Sequence, residues 1–400
     1  MRNRLFLLII VLCAWRYSAL AQGRLSKSDL VKIDFAILAK NKQKIQAGDA
    51  ALAPAYKQLV GDANALLDYR PVSVMQKKDL PPSGDRHDYM SIAPYWWPDP
   101  AKKNGLPYIR KDGEVNPEVN NYTDKENLPR LCENVYTLAL AYYFSGQEKY
   151  AVHAARLVQV WFLDTATRMN PNLSYGQAVK GVIEGRAEGL IDTRHFIFLL
   201  DGIALLQRST GWSPQKQEGL KNWFSAFLAW MQTSKIGTDE MNAKNNHGVW
   251  YDAQELSIAL FVDSTDLAKK IIGRTAARLD AQMDSNGMFP LEMERTTSLH
   301  YTVFLLNAFY IAAGLAEKTG TDFWNMETPS GKSLQKAFVT IRPFITQQEI
   351  WKGKQINPFN FEDAFPLLLR SAGRFGCTEC IGSIERMAGE KYRRLLINLL

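Results

Sequence analysis

Apolar residues recur every three to four positions in segment after segment of this chain, and the breaks between segments are short. The pattern covers residues 30–41, 55–67, 135–143, 150–162, 191–206, 220–231, 251–261, 268–283, 299–315 and 334–345. That spacing places the apolar residues of a helix on one face, turned toward a core. The breaks carry turn chemistry, as at Ser145-Gly146, Thr210-Gly211-Trp212-Ser213-Pro214, Asp284-Ser285-Asn286-Gly287 and Thr319-Gly320-Thr321. Two further helices are expected in the last forty residues, and no run alternates convincingly as a strand. Short connections between consecutive helices make antiparallel pairs. Pairs wound in sequence give an all-α solenoid or a closed toroid, and periodicity alone does not choose between them. By length the chain could hold two or three average domains, but the uniform pattern predicts one helical body over residues 22–400.

Residues 72–127 break the pattern. They are rich in proline and aromatics, with little helical periodicity. Long ordered loops in compact proteins are usually functional, so this stretch is expected to lie over the body and wall a cleft.

Residues 1–21 read as an export signal. Arg2 and Arg4 form the charged start, 5–15 the apolar core, and Ala19-Leu20-Ala21 a small-x-small cleavage site. The apolar run is too short to span a bilayer, and Arg16 interrupts it. Cys13 follows the bulky Leu12, where a lipoprotein site would have a small residue. The mature protein is expected in the periplasm or outside the cell, free of the membrane. Losing Arg2, Arg4 and Arg16 leaves 45 Lys and Arg against 41 Asp and Glu, so the formal charge falls from +7 to +4. A mild positive balance suits a polyanionic ligand without requiring one. There is no zinc-finger spacing or Arg-rich arm, so nucleic acid is not an expected partner. No metal motif is present, and no cofactor is expected. Cys377 and Cys380 have C-x-x-C spacing without a βαβ context or a second cysteine pair, which predicts a local disulfide or two idle thiols.

Asn245-Asn246-His247-Gly248-Val249-Trp250-Tyr251-Asp252 concentrates two amides and one of only five histidines at a predicted helix start. Amides can bind a carboxylate, and imidazole exchanges a proton near neutral pH. Asn is also among the best helix caps, so Asn245 and Asn246 could divide the two tasks. His247 could equally be a structural hydrogen-bonding partner.

The same stretch resembles the alginate lyase family of polysaccharide lyases. The resemblance continues in Ser91-Ile92-Ala93-Pro94-Tyr95-Trp96-Trp97-Pro98-Asp99-Pro100, in Gly105-Leu106-Pro107-Tyr108 and in Asp112-Gly113-Glu114-Val115-Asn116-Pro117. Thr167-Arg168-Met169-Asn170-Pro171-Asn172, Tyr175-Gly176-Gln177, Gly185-Arg186, Glu294-Arg295 and His300-Tyr301 extend it. It implies an incomplete or complete (α/α) toroid that cleaves an acidic polysaccharide by β-elimination. Elimination from a uronate needs a group to quench the carboxylate, a base for the C5 proton and an acid for the C4 oxygen. The resemblance implies Asn246 as neutraliser, with Gln177, Arg186 and Arg295 in support. His247 is a candidate base, kept neutral by the helix start. Tyr301 is the candidate acid, and a base as well if Arg295 and His300 favour its phenolate; otherwise it is a packing tyrosine. In mannuronate and glucuronate the C5 proton and C4 oxygen share a face, so Tyr301 could serve both ends with His247 assisting, the expected arrangement. In guluronate they lie on opposite faces, which requires both residues. Tyr95, Trp96 and Trp97 could stack on sugar rings, one or two of them facing the sugar and the rest pinning the loop to the body; Asn245 and His300 are expected to contact sugar, and His87, Tyr175, Arg186, Arg194 and His195 are weaker subsite candidates. Helix starts at Asn245-Asn246 and Thr296-Thr297-Ser298 are expected to offer free amides to anions.

Two other readings fit the residues. A glycoside hydrolase on the same toroid would need a carboxylate pair, drawn from Asp252, Glu255, Glu292 and Glu294. A non-catalytic protein could bind acidic glycans through the aromatic loop. The residues leave open the particular uronate polymer, endo or exo action and the oligomeric state.

Overall fold

The computed structural model describes residues 34–400. The expected export signal at 1–21 lies outside the described residues. Fourteen α-helices follow in chain order: α1 (Phe35–Gln46), α2 (Ala53–Leu66), α3 (Thr123–Ser145), α4 (Glu148–Val158), α5 (Phe196–Leu206), α6 (Pro214–Thr233), α7 (Lys235–Met241), α8 (Asn246–Phe261), α9 (Thr265–Gln282), α10 (Pro290–Met293), α11 (Ser298–Ala316), α12 (Leu334–Ile345), α13 (Phe365–Arg374) and α14 (Thr378–Ala388).

Burial sorts the longer helices into two layers. In α6 only Leu220, Trp223, Phe224, Phe227, Leu228 and Met231 are buried, a stripe at i, i+3, i+4, i+7. That is an outer helix with one face on the core. In α8 and α11 nearly every residue is buried. These are inner helices, covered on all sides. The stretch Ser298–Thr319 is long and apolar enough to cross a membrane, but 83% of its most apolar window is buried inside the protein. Its apolar character is that of a core helix.

The inner helices touch in sequence, α3 on α5, α5 on α8, α8 on α11 and α11 on α13, while α4, α6, α9, α12 and α14 cover them. At the ends of the array, the C-terminal turns at 389–394 and 396–398 return to α2. Asn41 Nδ2 in α1 donates to the carbonyls of Asn398 and Leu399 at 3.4 and 3.3 Å. The architecture is an (α/α) toroid.

Local chemistry explains the boundaries. Ser213 caps α6 through Lys216 N, with Pro214 in the first turn. Gly146 ends α3 at φ +72°, a conformation glycine adopts without cost. The start of α3 at Thr123 lies well before the periodic stretch beginning at 135, because Pro129 sits inside the helix and masks its first turns. Cys377 and Cys380 form a disulfide, and Cys132 is a buried free thiol.

No run in the sequence alternates convincingly as a strand, and the described residues hold only four short ones. Parallel pairing joins β1 (Met90–Ile92) to β4 (Tyr175–Ala178), and antiparallel pairing joins β2 (Trp96–Trp97) to β3 (Ile109–Arg110). Two to four residues are too few to show a period of two. These pairs fasten the 72–127 segment to the body and fold its tip into a hairpin beside the toroid mouth.

Candidate active site

A cleft of about 1250 Å³ opens between the 72–127 segment and the inner helices. Two helix starts supply its centre. At the first, Asn245 caps α8 by accepting from His247 N at 3.2 Å. This leaves Asn246 and His247 in the first turn of α8, and both line the cleft. At the second, His300 and Tyr301 stand in the first turn of α11 and line it also.

His247 is held by a residue the sequence did not reveal. Its Nδ1 lies 2.6 Å from Oε1 of Glu240 at the end of α7, and the Glu240 side chain is only 2% exposed. A carboxylate on Nδ1 fixes the ring and favours the tautomer that presents an unprotonated Nε2. Burial disfavours a charged imidazole, but the Glu240 charge and its hydrogen bond outweigh burial and raise the His247 pKa above its ordinary value. The expectation that the helix start keeps His247 less basic is therefore reversed.

Tyr301 Oη donates to Tyr95 Oη at 3.0 Å. The guanidinium of Arg295 lies 3.6 Å from the centre of the Tyr301 ring. Burial and the neighbouring Tyr95 together push the Tyr301 pKa well above its ordinary value, and the opposing charge of Arg295 does not offset them. The phenolate that Arg295 and His300 could have favoured is therefore opposed, and Tyr301 is held as a phenol. Arg295 is itself committed. Its Nε and Nη2 donate to the two carboxylate oxygens of Asp112 at 3.1 and 2.6 Å. Burial opposes ionisation of Asp112, yet Arg295 and the Thr296 amide win and hold its pKa at about 2. Asp112 also accepts from Thr296 N and Oγ1, so one carboxylate latches the hairpin to the segment before α11.

Arg186 and Gln177 form a second polar group in the cleft. Gln177 takes φ +49°, donates from Nε2 to Asp192 Oδ1 at 3.1 Å and accepts from Arg186 Nη2 at 3.2 Å. Arg186 also pairs with Glu188 at 3.0 Å and lies over the Trp96 ring at 5.9 Å. His300 stacks on Phe304, and burial lowers its pKa, so it is neutral.

Of the residues expected at the site, Asn245, Asn246, His247, Arg295, His300, Tyr301, Tyr95, Trp96, Gln177, Arg186 and Arg194 line this one cleft. Trp97 and Tyr175 do not. Trp97 Nε1 donates to the Glu114 carbonyl at 3.0 Å and its ring carries Lys111, so it pins the hairpin. Tyr175 pairs with Met90 in the short sheet. His87 is tied to the Arg168 carbonyl, and burial lowers His195 to a pKa of about 3 outside the cleft.

The expected pair of free helix ends is corrected too. Ser298 N donates to the Lys354 carbonyl and Leu299 N to Gln355 Oε1. Asn246 N donates to Glu292 Oε1 at 2.7 Å. Both sets of amides are taken by the protein, so charge recognition falls to side chains.

The carboxylates proposed for a hydrolase are dispersed. Asp252 is fully buried between Arg274 and Arg278, and Glu255 pairs with Arg274. These groups tie α8 to α9. Glu292 binds Asn246, and of the four only Glu294 lines the cleft.

The family model described as alginate lyase matches residues 73–351. An alginate lyase from Bacteroides ovatus is 40% identical, with 93% of this chain and 98% of that one covered, at a TM-score of 0.88. Alginate lyase A1-III from Sphingomonas species A1 shares the fold at 17% identity and a TM-score of 0.55, covering 88% and 91% of the two chains. A variant of alginate lyase A1-III complexed with a tetrasaccharide has a TM-score of 0.51 at 16% identity, covering 83% and 91%. No curated protein matches the chain.

Proposed function

This chain belongs to the alginate lyase family and is a polysaccharide lyase, and on that premise we propose that it cleaves alginate by β-elimination with His247 as base and Tyr301 as acid. The observation that carries this reading is one cleft that holds both a glutamate-held histidine and Tyr301, bonded to Tyr95 and covered by Arg295. His247 takes the C5 proton on Nε2, while Glu240 stabilises the imidazolium through Nδ1. Tyr301 gives its phenolic proton to the C4 oxygen as the glycosidic bond breaks, and Tyr95 and Arg295 hold the phenol in place. The C5–H electron pair becomes the C4–C5 double bond of an unsaturated uronate at the new non-reducing end. Asn246 is the donor for the uronate carboxylate, because amides aimed at developing charge stabilise the enolate-like intermediate. Trp96, backed by Arg186, offers a sugar ring an apolar face.

A base and an acid on different residues suit guluronate, whose C5 proton and C4 oxygen lie on opposite faces. The single-tyrosine arrangement expected from the sequence would need Tyr301 to lose its proton first, which its raised pKa opposes. Incubation with polyguluronate, polymannuronate and glucuronan, followed by ultraviolet absorbance, tests this. The fastest rise is expected with polyguluronate. A faster rise with polymannuronate would overturn the division of roles, and flat absorbance with all three would overturn alginate as substrate. We also propose that the chain acts outside the cytoplasm. The signal pattern at 1–21 and the Cys377–Cys380 disulfide support this. Sequencing the exported protein should find Gln22 at its start, and retention of the intact chain in the cytoplasm would contradict it.

A further inference from the structure

The cleft does not end at the catalytic pair. Helix α11 starts at the mouth, where Asp112 binds Arg295 and Thr296, and its later turns run inward. His300, Tyr301, Phe304, Asn307, Ile311 and Gly314 all line the cleft. They recur every three to four residues, so one face of α11 walls the cleft for about 20 Å, the rise of that many helical residues. That length holds more than one sugar ring, so uronates beside the reacting one also lie within the protein.

Arg194, just before α5, stands beside this inner stretch. It lines the cleft and lies over the Phe304 ring at 5.8 Å. Phe304 is one turn inward from His300 and stacks on it, and the charge of Arg194 is felt at His300. Arg194 Nη1 donates to the Ile191 carbonyl at 3.1 Å. Its Nε and Nη2 make no hydrogen bond among the described residues, and neither atom is sealed inside the protein. Nor does any carboxylate among the described residues lie within ion-pair distance of it. Arg295, Arg186 and Lys125 line the same cleft, but they pair with Asp112, Glu188 and Asp192 at 2.6, 3.0 and 3.5 Å. Burial lowers the Arg194 pKa, and Asp192 and Glu133 oppose it only from beyond that reach. A guanidinium withdrawn from water without a counter-charge is costly, and an incoming carboxylate offsets that cost.

We propose that Arg194 is a specificity-determining residue whose Nε–Nη2 edge grips the carboxylate of a uronate next to the reacting one. The inference rests on the uronate-lyase reading above. Arg295 shows the same grip within the protein: its Nε and Nη2 each donate to one oxygen of Asp112. A planar guanidinium offers two parallel N–H groups to the two oxygens of a carboxylate, which fixes orientation as well as charge. Phe304 against its face and the Ile191 carbonyl at Nη1 hold the guanidinium, so the open edge is set before substrate arrives. A neutral sugar in that place leaves the cation unmatched. The cleft therefore selects a run of uronates over a lone uronate in a neutral chain.

The test is oligoguluronate binding to the full mature chain carrying Tyr301→Phe, which prevents turnover. Two synthetic tetramers differ from the parent by reduction of one carboxylate to a hydroxymethyl group, on one or the other neighbour of the ring bound at His247. Calorimetry gives Kd for each. Arg194→Gln is expected to weaken the parent tetramer by about ten- to hundredfold, the span of a hydrogen bond to a charged group. One reduced tetramer should lose the same factor at the unaltered Arg194, and Arg194→Gln should leave its Kd unchanged. Arg194→Lys keeps the charge without the fork and should recover part of the loss; if Arg194→Gln does not fold, Arg194→Lys gives the same comparison at smaller amplitude. With Tyr301 intact, Arg194→Gln should raise KM on polyguluronate and leave kcat within a few-fold, because the flanking ring does not react. Parent binding unchanged by the Arg194 variants, or losses that multiply on both reduced tetramers, would overturn the inference while leaving the lyase reading intact. Failure of the Tyr301→Phe chain to bind any of these oligouronates would overturn the uronate reading and this inference with it.

Discussion

Tyr301→Phe lowers kcat on alginate by about 10²–10⁴-fold, the usual contribution of a positioned general acid or base, and leaves KM within a few-fold. The substitution removes one hydroxyl from a ring that remains packed in α11 beneath Arg295. The lost group acts on the C4 oxygen only as charge develops there, so the loss falls on the transition state rather than on ground-state binding. Tyr95 Oη loses its donor, but it sits at the cleft where water can replace the bond. Steady-state kinetics by ultraviolet absorbance reads the effect directly. A kcat within tenfold of the unaltered enzyme would remove Tyr301 from the role of acid.

Loss of the base is expected to be comparably severe. His247→Ala should lower kcat/KM on polyguluronate by about 10²–10⁴-fold. Glu240→Gln gives the more discriminating result, because it acts through the histidine. The base works when neutral, so activity falls as pH drops through the His247 pKa. Glu240 holds that pKa above its ordinary value against burial, which places the acidic limb of the profile above about pH 6.5. Without the Glu240 charge, burial outweighs the remaining pull of Glu188 and the limb moves to lower pH. A Glu240→Gln limb that stays where it was, measured as kcat/KM against pH, would separate Glu240 from the base.

Sequence patterns reach different depths in this molecule. The outer helices are legible because each shows one apolar stripe, as the 220–231 stretch does. Inner helices α8 and α11 are buried all round, so the apolar spacing read at 251–261 and 299–315 marks them as helices but does not show which layer they occupy. The beginning of α3 was hidden by Pro129, and β1 to β4 were too short to register.

Within the site, the groups that meet substrate fall in compact local motifs, Asn245-Asn246-His247 and His300-Tyr301, and those are readable. Their partners are not. Glu240 lies on a different helix from His247, Glu292 reaches Asn246 from 46 residues away, and Asp112 reaches Arg295 across 183. No spacing rule connects such residues, because the toroid brings them together. Those partners also reverse expectations made from side chains alone. Glu240 makes His247 more basic, Asp112 occupies Arg295, and burial keeps Tyr301 protonated. Trp97 shows the same limit: it is a neighbour of Tyr95 and Trp96 in sequence, yet its indole serves the hairpin rather than the cleft.

The most direct measurement of the central claim is cleavage of alginate in oxygen-labelled water, with the products weighed by mass spectrometry. Elimination breaks the glycosidic bond without adding water. The account therefore predicts unsaturated fragments with no solvent oxygen in the newly formed ends. Saturated fragments carrying one labelled oxygen per cleavage would mean hydrolysis, and would contradict the roles given to His247 and Tyr301.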